Sequence, residues 1–205
     1  MRLIFPLALG LIGGAVLVAL GVWQLNRAEE KAATIAAIET RLTEAPVALP
    51  IAPRSPADLY LPVAVEGVVD GPALVVFDTW RGFGAGVRAV VRLRVGAASI
   101  PVDLGARTWA PGTDPQDAAA EVPATGTRLV VEGNLDWPED ERAAISTPLI
   151  VARSVTPATA FTPIPVSSEG IPDNHLGYAI QWFGLALVWL GMTAFLLWRI
   201  TRRTD

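Results

Sequence analysis

Cysteine is absent from the 205-residue chain, and histidine occurs once, at His175. Without cysteine there is no disulfide, no thiol redox chemistry, no Cys-ligated zinc, no iron–sulfur cluster and no thiolate copper site. With a single imidazole there is neither a multi-histidine metal site within one chain nor a relay of two histidines. Charge is scarce: 18% of residues are charged, against about 25% in ordinary soluble domains. Acids outnumber bases, and the net charge of −4 with a pI near 5.1 argues against a nucleic-acid partner. The signatures G-x-S-x-G, H-E-x-x-H, the phosphate-binding loop and the EF-hand loop are all missing. A Ser–His–Asp relay would have to combine His175 with Asp173 or a distant Asp, an incomplete constellation even for an interfacial lipid hydrolase.

What the chain has in excess is apolar residues. Counted with Gly and without Tyr they reach about 60%, against roughly 45–50% in soluble domains. They concentrate in two uncharged runs, Leu3–Leu25 and Leu176–Trp198. About 20 such residues at ~1.5 Å each cross a bilayer as a helix. A cleaved signal peptide is the alternative for the first run. Its apolar region would be about 7–15 residues, and the small-x-small candidate here is Ala19-x-Gly21, so a retained span is expected. Tyr178 and Trp198 mark the interfacial edges of the second run. Arg199, Arg202 and Arg203 follow it, whereas Ala158–Gly177 has no Lys or Arg, which puts the C-terminus inside. Arg2 before the first run, with Arg27 and Lys31 after it, argues weakly the other way; long translocated domains escape the charge rule.

The expected fold class is therefore a membrane protein with transmembrane helices at 3–25 and 176–198. They flank an extracytoplasmic, mainly-β domain over 28–173, a small barrel or curled sheet of α+β type that begins with a helix. That leading helix is Ala28–Glu44, with Ile35, Ile38 and Leu42 on one face; Pro46, Pro50, Pro53 and Pro56 then form an extended connector. Period-two alternation marks Gly86–Val95, and Leu61–Val69, Ala73–Asp78, Ser99–Leu104, Arg128–Leu135 and Ile145–Val155 are further strands. Asp70-Gly71 suggests a tight hairpin turn, and Gly82–Gly86 reads as a hairpin loop rather than a phosphate loop. Thr113–Pro123 reads as an exposed loop. Arg88, Arg92 and Arg94 are expected on the solvent face of their strand, and Asp136 with Glu139, Asp140 and Glu141 in a solvated acidic turn.

The facing ends of the two runs carry the polar residues: Trp23-Gln24-Leu25-Asn26-Arg27 and Asn174-His175-Leu176-Gly177-Tyr178. His175, Trp182 and Trp189 recur every seven residues and form one helical stripe; Gly177, Gly184 and Gly191 form a second about 200° away. The glycine stripe is expected against a helix, as are the small residues Gly10, Gly14 and Gly21 of the first run. The His/Trp stripe is expected to face something planar or the lipid headgroups. His175 alone reads either as a local cap or as a metal ligand, and the tryptophans either as membrane anchors or as a binding wall.

These end segments resemble the Surfeit locus protein 1 family of cytochrome c oxidase assembly factors. Leu20-Gly21-Val22-Trp23-Gln24-Leu25-Asn26-Arg27, with Lys31 beyond, is similar to the family's L-G-x-W-Q-x-x-R…K. Asn174-His175-Leu176-Gly177-Tyr178-Ala179-Ile180-Gln181-Trp182-Phe183-Gly184-Leu185-Ala186 is similar to N-H-L-x-Y-A-x-x-W-F-x-L-A, and Tyr60–Gly67 to its y-x-P-V-x-x-x-G strand. The V-N-R-G-W-x-P segment departs: it appears as Val102-Asp103-Leu104-Gly105, with Trp109 displaced. A Trp and Arg-Asp segment before the second helix is reduced to about Ile150–Ser154. The resemblance implies a haem chaperone or assembly factor, not an enzyme, that binds haem a and assists the oxidase catalytic subunit. It implies His175 as iron ligand and Trp23, Gln24, Arg27, Tyr178 and Trp182 as the cofactor-binding surround. A haem a synthase and membrane lipid are the other implied partners, and the implied location is the bacterial inner membrane, with both termini cytoplasmic and the central domain periplasmic. The competing reading is a structural scaffold for oxidase subunits without haem of its own.

Reporter fusions at the C-terminus and near Gly112 test the orientation: a periplasm-dependent reporter should be active near Gly112 and silent at the C-terminus, and activity at the C-terminus would overturn it.

Overall fold

The computed structural model describes residues 3–80, 84–109, 112, 114, 117, 120–138, 148–169 and 171–202. The chain forms two compact units, one of Met1–Ala37 with Glu169–Asp205 and the other of Ile38–Ser168. Among the described residues two helices are long and apolar enough to cross a bilayer: α1 (Ile4–Leu42) and α2 (His175–Arg202). α1 has 39 residues, about 58 Å by helical rise, so it exceeds what ~30 Å of hydrocarbon needs. Nothing between Gly21 and Pro46 breaks it; the run AEEKAATIAAIETRL consists mainly of strong helix formers, which carries the helix through its first charges without interruption.

In the first unit the helices run antiparallel along a seam of 3,4 spacing. On α1 the less exposed positions include Gly10, Gly14, Leu17, Gly21, Gln24, Ala28 and Lys31; on α2 they include His175, Ala179, Trp182, Ala186 and Thr193. A 3.5-residue period keeps such a seam facing its partner when helices coil left-handedly. The glycines of α1 supply the close approach. A Cβ at Gly14 would stand 2.7 Å from Leu190 Cδ2, and one at Gly21 2.6 Å from Phe183 Cε1. This reverses the expected faces. Gly177, Gly184 and Gly191 have nothing within 4 Å of where a Cβ would be, so the glycine stripe of α2 points away from α1. The His175/Trp182/Trp189 stripe is the seam itself, because bulky knobs on α2 fill the space left by small residues on α1.

In the second unit the described residues form seven strands: β1 (Val47–Ala48), β2 (Pro62–Val69), β3 (Leu74–Trp80), β4 (Gly84–Val95), β5 (Ala98–Thr108), β6 (Arg128–Asp136) and β7 (Leu149–Thr156). Their order is β1-β2-β6-β7-β5-β4-β3, and β2 also pairs with β4, which closes a five-stranded barrel. All barrel pairs are antiparallel except β5–β7. This is the connectivity of an OB-type Greek-key barrel, a fold that by itself assigns no ligand. Valines and leucines at alternate positions fill its interior, among them Val63, Val65, Val69, Leu129 and Val131. The last residues of α1, from Ile38, belong to this unit, and within it Arg153 Nη1 donates to the Leu42 carbonyl at 2.9 Å, satisfying one of the acceptors a helix end leaves open.

Asp70-Gly71 does not reverse the chain. Val69 pairs with Leu93 and Leu74 with Val90, so β2 and β3 run in the same direction along one edge of β4. Gly71, at φ +89°, kinks this long ladder instead of ending it, and Asp70 N still donates to Arg92 O at 2.8 Å. The hairpin lies at the other end, where Trp80 pairs with Gly84 across residues 81–83, which are outside the described set. Residues 139–147 also lie outside it, so of the acidic turn only Asp136 is described, its Oδ1 accepting from Trp137 N, and the last strand is described from Leu149.

Arg88 is not on a solvent face. β5 takes three steps from Ala106 to Asp103 while β4 takes two from Arg88 to Val90, a bulge centred on Gly105 at φ +98°. The segment after β7 then covers this side of the sheet: Thr162 bridges Ala106, and Val166 packs on Val90, Leu149 and Val151. Arg88 is thereby buried and ion-paired with the still more deeply buried Asp103, its Nε donating to Oδ2 at 2.6 Å, while Gly105 N donates to Oδ1 at 2.9 Å. Arg92 and Arg94 remain exposed, Arg94 3.8 Å from Asp70.

Breaking this pair from one side strands a buried charge, so Arg88→Met should cost about 3–5 kcal/mol. The double variant Arg88→Met/Asp103→Leu should recover most of that loss. Denaturant unfolding of the detergent-solubilised chain, followed by its β-sheet circular dichroism, measures both; equal stability of wild type and Arg88→Met would refute the assignment.

Candidate functional site

At the end of the seam nearest the loop before α2, polar side chains replace glycine and alanine. Asn174 O accepts from Tyr178 N, and the Asp173 carboxylate accepts from His175 N at 3.3 Å, so α2 starts with one of its open N–H groups satisfied. On the facing helix, Lys31 Nζ donates to the Pro172 carbonyl, which ties α1 to the residues that lead into α2. Between these two fixed points His175 Nδ1 lies 2.9 Å from Gln24 Oε1. An amide oxygen only accepts, so with Gln24 placed this way the contact is made by the ring tautomer that donates from Nδ1, and Nε2 is the nitrogen that Gln24 does not engage. The second nitrogen of an imidazole is commonly set in this way by a hydrogen bond behind it.

Of the residues marked from sequence, His175 and Gln24 meet, and Trp182 lies half-buried on the same seam two turns further along α2. Trp23, Arg27 and Tyr178 are exposed, and Arg27 pairs with Glu30 on its own helix at 2.8 Å. At 100° per residue, Arg27 and Trp23 fall about 60° and 100° to one side of Gln24, and Tyr178 about 60° to that side of His175. Antiparallel pairing puts equal rotations on one flank, so the seam's histidine is bordered by a flank of aromatic rings with a cation at its end. Gln24 therefore stands behind the imidazole rather than on this flank. Sequence reasoning left the role of Lys31 open; its position seven residues beyond Gln24, hence on the same stripe, was the available signal.

Among the described residues no group of three or more His, Cys, Asp and Glu side chains could hold a metal ion. Of the two methionines, Met192 is 17 residues from His175, about 25 Å along α2, too far to share an iron with it, and Met1 lies outside the described residues. His175 is thus the described imidazole, with Nδ1 toward Gln24.

A sequence model of the SURF1 family matches residues 11–187. A SURF1-like protein of Monosiga brevicollis is 26% identical over 216 aligned residues, which cover 86% of this chain and 82% of that protein. Among solved structures, a chain assigned as an aspartyl-tRNA synthetase of Leishmania major Friedlin aligns at 16% identity and a TM-score of 0.30. It covers 64% of this chain, which spans about a quarter of that protein (26%), and at that score the likeness carries no argument.

Because the chain has one histidine, ¹⁵N-histidine labelling yields a single imidazole to read. The Nδ1–H tautomer should dominate in the full-length protein in detergent, and Gln24→Leu should release the ring to a mixture. A dominant Nε2–H form in the wild type would refute the Gln24–His175 geometry.

Proposed function

Since the chain belongs to the SURF1 family, a family linked to cytochrome c oxidase assembly, we propose that it is a membrane-bound assembly factor that carries haem a at the His175 end of its helix pair. It assists the insertion of that haem into the oxidase catalytic subunit, or its stabilisation there, after receiving it from a haem a synthase. It sits in the bacterial inner membrane with its termini cytoplasmic and its barrel periplasmic, and it performs no catalysis of its own. The observation that carries this reading is the orientation of His175. With Nδ1 held by Gln24, the open nitrogen is Nε2, and a neutral imidazole nitrogen is the common protein ligand of haem iron.

The remaining residues fit that group. The exposed rings of Trp23 and Tyr178 and the half-buried ring of Trp182 offer an apolar wall for a planar ligand. Arg27 would pair with a propionate. To do so it gives up Glu30, and since both side chains are well exposed, that pair holds it by only ~0–1 kcal/mol. A charge-assisted bond to a carboxylate in a less watery setting outweighs this. When bound, the iron would take His175 as one ligand; Met192 is too far along α2 to be the other, so the second position falls to water, to Tyr178 or to another protein, and an exchangeable ligand there suits a carrier whose cargo must leave. Gln24 acts as a positioning residue, holding the ring from behind.

The same hydrogen bond also favours a second reading, a scaffold in which His175 only closes the helix seam. Co-expression with haem a synthesis, followed by purification in detergent, separates the two. A carrier shows a Soret band that scales with protein; His175→Ala should abolish it in protein that still fractionates with membranes. Gln24→Leu should weaken haem retention about 10–100-fold through loss of orientation. A colourless wild type in the presence of haem a would establish the scaffold, and an unchanged spectrum in His175→Ala would refute ligation by this residue.

A further inference from the structure

At the end of the helix pair remote from His175, the two helices border a groove of about 330 Å³. Pro6, Leu9 and Gly10 line it from α1, and Trp189, Leu196 and Arg199 from α2. The polar atom of Trp189 is turned out of use: its indole N–H donates to the Gly10 carbonyl at 3.0 Å, so the ring offers hydrocarbon to the groove. Arg199 supplies the one charge in the wall. Three residues on, the Arg202 guanidinium lies over the Trp198 ring, 4.3 Å from its centroid, which holds a second cation at the same helix end. Neither Ile4–Leu25 nor Leu176–Arg202 contains Asp or Glu, so neither of these segments brings a carboxylate to the two guanidinium groups.

An apolar trough with cations at its mouth matches a molecule that joins a hydrocarbon chain to an anionic head. We infer that this groove holds an acyl chain of an anionic phospholipid, whose phosphate meets Arg199 and Arg202. The inference rests on the reading of α1 and α2 as membrane spans, and it is independent of haem. Guanidinium groups match phosphate oxygens in pairs, and cations at the membrane surface enrich anionic lipid. A zwitterionic lipid fills the trough equally well but brings its own cation to the mouth. Occupancy therefore belongs to the groove, and selectivity to the two arginines.

Native mass spectrometry of the full-length protein from micelles with equimolar phosphatidylglycerol and phosphatidylcholine tests this. The wild type should retain phosphatidylglycerol preferentially. Arg199→Gln and Arg202→Gln should each reduce the preference about fivefold. Leu196→Trp, which fills the trough and leaves both charges, should reduce retention of either lipid. Equal retention of the two lipids by the wild type, an unchanged preference in the double Arg→Gln variant, or wild-type retention by Leu196→Trp would each overturn the proposal, as would a bound polypeptide in place of lipid. Carbonate extraction keeps the two levels apart: release of the chain from membranes would overturn the spanning reading and the site with it, whereas a retained chain without lipid preference would overturn the site alone.

Discussion

The close approach of the two apolar helices along Gly10, Gly14 and Gly21 is the constraint on which the rest of the first unit depends. For any pair of helices that spans a bilayer, burying one apolar side chain against another gains little over burying it in lipid, and pairing comes from contact density and from polar groups that find partners. Glycine on α1 allows the contact, and the bulky residues of α2 fill it. Two hydrogen bonds then fix the register: Trp189 to the Gly10 carbonyl at one end and His175 to Gln24 at the other. Any shift of one helix along the other would break both. The imidazole is thus held by the same packing that holds the helices, which is how a lone histidine acquires a fixed place on the seam, with Nδ1 toward Gln24.

A comparable economy operates in the barrel. One glycine, Gly105, adopts a positive φ and creates a bulge, and the bulge brings Asp103 opposite Arg88 under the segment that follows β7. A Cβ at Gly105 would collide with the backbone of Thr162, so the covering segment and the bulge require each other. The buried pair is a weak source of net stability, because two desolvated ions cost nearly what they return. What it supplies is a penalty on every alternative in which the segment lifts or the register slips.

Much of this was legible in the amino-acid order. Two uncharged runs of about 20 residues identify both apolar helices, and period-two valines identify the strands that form the barrel, because burial on one face imposes the period of the element. The stripe His175, Trp182, Trp189 was visible as well, but its partner was misassigned. A helical wheel shows which residues share a face and leaves open which face meets the neighbour. Gly177, Gly184 and Gly191 had the spacing of a packing face and lie open, whereas bulk on α2 turned out to be the complement of glycine on α1. Arg88 failed for a related reason: alternation assumes one covered face, and here a later segment covers the other.

Sequence by itself therefore determined the element types, the two apolar ends and the residues able to do chemistry, since these follow from local period, length and side-chain type. Only the tertiary structure decided that Gln24 accepts from His175, that Arg88 is paired inside the barrel, and that β2 and β3 form one ladder along β4. Each of these joins residues from separate elements, 151 positions apart in the first case and 15 in the second. Such pairings are settled by which surfaces fit at close range, a property of three-dimensional packing that no local periodicity encodes.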